Sequence, residues 1–211
     1  MAPVRRGRSS RQYARRAPTR APYDYVLIIC EGSKTEPNYF NGLKADCQLS
    51  SANIRVENAA GTDPMTIVSA AEAAIRSREP FDRVYCVFDR DGHQNYDAAI
   101  ERLNNHSAAK AGKLFAVTST PCFEIWVSLH FIYSTAAFNA VGKKSSCDHV
   151  IDKLKEYFTK YEKEQRTLMR SFRRILKKLS RMPGSSRILM PNPVLITHQL
   201  WCTSLSNIFA T

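Results

Sequence analysis

No apolar run in this 211-residue chain approaches the roughly 20 residues that a membrane-spanning helix needs. The first apolar stretch, Val26 to Cys30, is also shorter than the roughly 7–15 residues of a secretory signal's apolar region. An Arg-rich, acid-free start leaves an organelle transit peptide as the lesser reading. None of the six cysteines (Cys30, Cys47, Cys86, Cys122, Cys147 and Cys202) belongs to a CxxC pair. That absence argues against a zinc site of paired cysteines and against a disulfide frame. Cys30, Cys86 and Cys122 lie in or beside apolar runs, so the expectation is reduced, buried cysteines in a cytoplasmic protein.

Acidic side chains are missing from residues 1–22, which carry seven arginines, and charged side chains of either sign are missing from residues 188–211. Between these stretches the charge divides unevenly. Residues 23–150 hold 12 bases and 15 acids, whereas residues 151–187 hold 12 bases and four acids. The formal net charge is +12. A mildly acidic centre flanked by basic arms points to a polyanionic partner, nucleic acid first. Residues 1–22 have almost no large apolar groups, so burial cannot repay the entropy of ordering them. They read as a disordered basic arm that either touches phosphates loosely or solubilises the chain.

Tyr25 to Cys30 is a continuous β-branched and apolar run, the pattern of a strand buried on both faces. Arg83 to Phe88 repeats it, and Asn53 to Asn58 and Lys113 to Thr118 complete four expected strands. Helices are expected over Asn38 to Leu43, from Pro64 to about Arg78, over Tyr96 to Asn104 and over Pro121 to Tyr133. Thr62 or Asp63 is the expected N-cap before Pro64. The alternation predicts an α/β fold, a mostly parallel sheet flanked by helices. A basic helical region follows from Ser145 to Ser180. The expected division is an arm over 1–22, a catalytic domain over 23–135 and a helical region over 136–211 packed on or beside it.

Two of the strands run into acids: Cys30 into Glu31, and Phe88 into Asp89, Arg90 and Asp91. Parallel neighbours would bring Glu31, Asp89 and Asp91 to one sheet edge, with Gly92 turning the chain. Three converging carboxylates repel one another and are hard to keep ionised without a cation. Hard oxygen donors in this number suit Mg²⁺, with Mn²⁺ as a substitute. The competing reading is that Asp and Gly follow strands simply as loop formers.

Glu31-Gly32-Ser33-Lys34-Thr35-Glu36-Pro37-Asn38-Tyr39-Phe40 resembles the EGxxTEpnYF signature of RloB-like proteins. Gly61-Thr62-Asp63-Pro64 is similar to that family's turn before its second helix. Val87 to Asp91 with His93 resembles its VFDRDxH segment, and Thr120 to Phe131 its NPCFExWxxxHF run, with Thr120 where Asn is common. The four blocks stand in order over residues 25–131. The C-terminal Asn192-Pro193 segment is only a blurred version of the family's NPST-like ending. The resemblance implies a Toprim-like domain, in which a glutamate after the first strand serves as acid and base and a later DxD pair binds Mg²⁺. Carried over, Glu31 takes the first role and Asp89 and Asp91 the second. It further implies a cytoplasmic nuclease of defence against phage or mobile elements, working beside a partner ATPase or restriction-system protein.

Other side chains have two readings each. Lys34 either contacts a scissile phosphate or is a solvated loop lysine. Glu36 reads better as a favourable charge at a helix start than as a catalytic group. Arg90 either neutralises the aspartates or touches substrate, and His93 either donates a proton or is solvated. Glu124 and His130, six residues apart, lie near opposite faces of the expected helix. Either could approach the metal edge, or both could be buried polar groups satisfied by backbone. Arg166, Arg170, Arg173, Arg174, Lys177, Lys178 and Arg181 form either a solvated helix or a phosphate-tracking surface.

The leading expectation is Mg²⁺-dependent cleavage of phosphodiester bonds in nucleic acid. A non-catalytic nucleic-acid-binding or assembly subunit is a second reading. A phosphotransferase with Asp89 as nucleophile is a third. It is disfavoured because that motif normally sits on the first strand.

Overall fold

Val26–Cys30 (β1) is buried at every position, because it lies inside a sheet with helices on both faces. A computed structural model describes residues 24–46, 53–77, 79, 81–90, 93–131 and 137–163. The basic arm expected over 1–22 and the arginines and lysines from Arg166 to Arg181 lie outside the described residues.

After β1 come α1 (Thr35–Asp46), β2 (Ile54–Asn58), α2 (Pro64–Arg76), β3 (Arg83–Asp89), α3 (Tyr96–Asn105), the short α4 (Ser107–Lys110), β4 (Leu114–Ser119), α5 (Glu124–Ser128) and α6 (Ser146–Tyr157). The sheet order is β2-β1-β3-β4. All three pairings are parallel: Val26 lies opposite Ile54 on one side and Arg83 on the other, and Val84 lies opposite Leu114. This is the four-stranded, all-parallel sheet flanked by helices that the alternation predicts, an α/β Rossmann-like arrangement.

The two-residue repeat of a strand sends neighbouring side chains of β1 into different cores. Val26, Ile28 and Cys30 meet Tyr39 and Leu43 of α1, Val127 of α5 and Leu154 of α6. Leu27 and Ile29 meet Ile67, Val68 and Ala71 of α2 and Ala99 and Leu103 of α3. Asp63 caps α2 by accepting from the Thr66 N–H at 3.2 Å, and Pro64 follows as its first residue. Ser145 and Asp148 form a reciprocal capping box at the start of α6. Val150, Leu154, Phe158 and Tyr161 are buried, so α6 contributes to the same core as the strands.

Two expectations need correction. The helix expected over Pro121 to Tyr133 is much shorter. Around α5 the backbone bonds reach back three residues: Ile125 to Cys122, Trp126 to Phe123, His130 to Val127 and Phe131 to Ser128. Such bonds tighten the chain into turns and do not extend a regular α-helix. The second concerns cysteine. Cys30 and Cys86 are free and buried, as expected, but Cys122 is not a free thiol. It pairs with Cys147 across 25 positions, with the Cα atoms 5.7 Å apart. The packing of α6 on α5 makes that pairing, and neither residue's local sequence announces it.

The seating of α6 can be tested by emptying its core position. Leu154→Ala should destabilise the protein by about 3 kcal/mol in urea unfolding, the usual cost of such a cavity. A change below about 1 kcal/mol would mean that α6 does not share the core.

Candidate functional site

In the order β2-β1-β3-β4 the chain leaves β1 toward one edge of the sheet and β3 toward the other. The carboxyl edge between these two strands is therefore the switch point of the strand order, the usual place for a site in an open parallel sheet. The two strand-ending acids both reach it.

The Glu31 N–H donates to the Val87 carbonyl at 3.0 Å, which carries the β1–β3 pairing one residue beyond the strand. Its carboxylate turns across to β3. Oε2 accepts from the Asp89 N–H at 2.8 Å. Oε1 lies 3.2 Å from His93 Nε2. Residues separated by 58 and 62 positions are thereby joined. Asp91, the third expected acid, lies outside the described residues, as does Gly92.

Asp89 ends β3 with one carboxyl oxygen held and the other not. Oδ2 accepts from the Phe123 N–H at 3.0 Å. Oδ1 is buried and has no hydrogen-bond partner among the described residues. Burial pushes the Asp89 carboxyl up to about 7, and the charges of Glu31 and Glu36 add to the rise. The Ser119 hydroxyl and the Phe123 N–H oppose it by favouring the ionised form. A buried carboxylate oxygen without a donor is what a hard cation would satisfy, so the residues present fit Mg²⁺.

Glu36 completes the cluster. It stands in the first turn of α1, where an acid favours the helix start, and it is buried. Burial raises its pKa, the backbone N–H groups of Glu36 and Gly32 oppose the rise, and the charges of Glu31 and Glu124 add to it. Gly32 makes this seat possible: a Cβ there would overlap the Glu36 carboxylate. The helix-start reading of Glu36 thus captures only part of its place, because it is also the carboxylate next to Glu31 and Asp89. A hint lies in the separation of Glu31 from Glu36 by a short loop with glycine at its first position. No periodicity reveals it.

The remaining expected residues divide. Lys34 is exposed, and its carbonyl accepts from the Asn38 N–H at 2.9 Å as α1 begins. Arg90 is exposed, with its guanidinium 5.5 Å from the centre of the Tyr96 ring. Glu124 and His130 are both buried, and side chains face each of them. His130 Nε2 lies 2.9 Å from the Tyr39 hydroxyl. Glu124 Oε1 accepts from the Tyr161 hydroxyl at 3.2 Å and faces the Lys163 ammonium at 3.5 Å. The contributions of the Phe123 N–H, Ser119 and Tyr161 are not legible in the sequence, since each depends on how α5 and α6 fold back.

Because its folded pKa is raised, Asp89 contributes stability that is present below its unfolded value of 3.8 and is lost as pH rises toward about 7. Asp89→Asn removes that dependence. In chelator the variant should melt above the wild type at pH 8, by a difference on the order of 1–3 kcal/mol, and the gap should narrow as pH falls and close only below 3.8. A variant no more stable than wild type at pH 8 would show that the carboxylate is not strained.

No curated protein and no solved structure matches the chain. A family model does match, over residues 26–180, and its family is described as RloB-like protein. The match runs from the start of β1 through α6 and covers more than half of the sequence. The chain belongs to the RloB-like protein family.

Proposed function

We propose that the protein is a Mg²⁺-dependent nuclease whose centre is the Glu31–Asp89 edge, acting in defence against phage or mobile elements. The observation that carries this reading is the buried Oδ1 of Asp89, without a partner among the described residues, beside Glu31 and Glu36. Asp89 would hold the ion through that oxygen, and Asp91 is the second ligand that the DxD pattern supplies. A bound Mg²⁺ would polarise a phosphoryl oxygen and lower the pKa of a water there.

The protein's own groups do the rest. The Asp89 N–H and His93 fix the Glu31 carboxylate from two sides, so it is oriented to take a proton from an attacking water or return one to a leaving oxygen. The Phe123 N–H fixes Asp89 in turn. Lys34 stands exposed on the loop after β1, within the same edge, as a contact for a phosphate. A cluster of carboxylates would otherwise repel a polyanion. The basic residues from Arg166 to Lys178 would supply affinity from outside the centre.

The test is a Mg²⁺ and Mn²⁺ titration against DNA, transfer RNA and other RNA. Asp89→Ala and Glu31→Ala should each lower metal-dependent cleavage at least about 100-fold, while binding stays within a few-fold. Cleavage surviving both substitutions sinks the site. Steeply salt-dependent binding with no cleavage of any substrate would favour the binding-subunit reading. A trapped aspartyl-phosphate on Asp89 would favour the phosphotransferase.

A further inference from the structure

A second group of reactive side chains lies behind the carboxylate edge, where α5 meets α6. Cys122 and Cys147 are bonded there, and ligand atoms of Cys122, Glu124 and Cys147 lie within 4.8 Å of one another. The two ends of the pair differ in access. Cys122 is only 3% exposed, whereas Cys147 is half-buried in the first turn of α6. Two charged groups face Cys147: Glu124 Oε2 stands 3.4 Å from its sulfur, and Lys163 Nζ stands 3.7 Å from it. Lys163 is 54% exposed, and the Glu124 side chain 4%.

These surroundings are more than a structural cross-link requires. A bonded sulfur has no proton, so the approach of Glu124 is a simple contact in the oxidised protein. It becomes a hydrogen bond only when Cys147 is a thiol. A buried carboxylate there gives the thiol proton somewhere to go, and the ammonium of Lys163 favours the thiolate that remains. Tyr161 holds Glu124 in place by donating to its other oxygen at 3.2 Å.

We propose that Cys122 and Cys147, with Glu124 and Lys163, form a thiol–disulfide exchange site that fastens and releases the start of α6 in response to dithiol reductants and small disulfides. In reduction, a thiolate of a dithiol attacks Cys147 Sγ, the sulfur nearer solvent. The Cys122–Cys147 bond breaks, and Cys122 departs as a thiolate and takes up a proton. The second thiol of the reductant then attacks the mixed disulfide and releases Cys147. The reductant leaves as a disulfide, and two protein thiols have replaced one protein disulfide. Oxidation runs the other way: Cys147 passes its proton to Glu124 and attacks a small disulfide such as oxidised glutathione, breaking its S–S bond and releasing one glutathione thiol; Cys122 then attacks the mixed disulfide at Cys147 Sγ, re-forms the protein disulfide and releases the second glutathione thiol. Val150, Leu154 and Phe158 keep α6 in the core after release, because they are buried independently of the bond. The release point adjoins the carboxylate edge, since Phe123, the residue after Cys122, donates its N–H to Asp89.

The site can be tested without assuming any nuclease activity. The full chain is alkylated under native conditions, before and after dithiothreitol, and the labelled peptides are mapped. Cys122 and Cys147 should label only after the reductant, with no denaturant needed. The melting temperature should fall by roughly 10 °C on reduction. Cys147→Ser should melt near the reduced wild type and ignore the reductant; Cys122→Ser serves the same purpose if that variant fails to fold. Glu124→Gln should still form the bond, but should re-form it with oxidised glutathione roughly tenfold more slowly or worse near neutral pH. Three results would overturn the proposal: labelling of both cysteines before any reductant, labelling only after denaturation, or stoichiometric Zn²⁺ released from the pair by a chelator.

Discussion

A carboxylate taken out of water destabilises the fold unless a donor or a cation faces it, and this protein places several of them at one sheet edge. Beyond burial, the charge of Glu31 raises the pKa of both Glu36 and Asp89, and the charge of Glu36 raises that of Asp89 further. Much of the local architecture can be understood as a set of answers to that crowding. Glu31 takes the Asp89 N–H, Asp89 takes the Phe123 N–H, and the backbone N–H groups of Glu36 and Gly32 favour the ionised form of Glu36. Every one of these donors is backbone, and backbone donors are fixed by the fold. What they leave unmet is one oxygen of Asp89. A buried carboxylate oxygen left without a donor is costly, and it is the feature of this cluster that the proposed Mg²⁺ would satisfy.

The fold produces this crowding through strand order. Placing β1 between β2 and β3 makes Glu31 and Asp89 neighbours even though α1, β2 and α2 intervene in the chain. The parallel arrangement then puts both acids at the same end. Helices on both faces dry the strands, which is why β1 tolerates no polar residue and why the acids appear only where it ends. Separate cores on the two faces of the sheet give the edge a rigid support, as a site that must hold like charges together requires.

Legibility in the sequence followed the range of the interactions. The strands and α2 could be read because their signals are local: β-branched runs, an Asp-Pro helix start, a stripe of apolar residues. Glu31 and Asp89 could be read because each directly follows such a run. Glu36 was harder, since its seat depends on a carboxylate lying against the α-carbon of Gly32, a contact with no repeat to betray it. The Cys122–Cys147 bond was misread because no spacing rule specifies which distant cysteines meet. The length of α5 was misread for a related reason. An apolar run has the same composition whether it continues as a helix or tightens into turns, and packing against Tyr39 and α6 decides between them.

The two reactive clusters are mechanically continuous. Cys122 precedes Phe123, and Glu124 follows it, so three consecutive residues serve three purposes: a disulfide, a donor to Asp89, and a buried acid held by Tyr161. A segment this short cannot move one of those groups without moving the others. Anchoring α6 therefore also anchors the backbone N–H that steadies Asp89. The run Pro121-Cys122-Phe123-Glu124 concentrates these duties in the turn that leads into α5. That turn needs a tight backbone more than it needs a long helix, and α5 is accordingly five residues long.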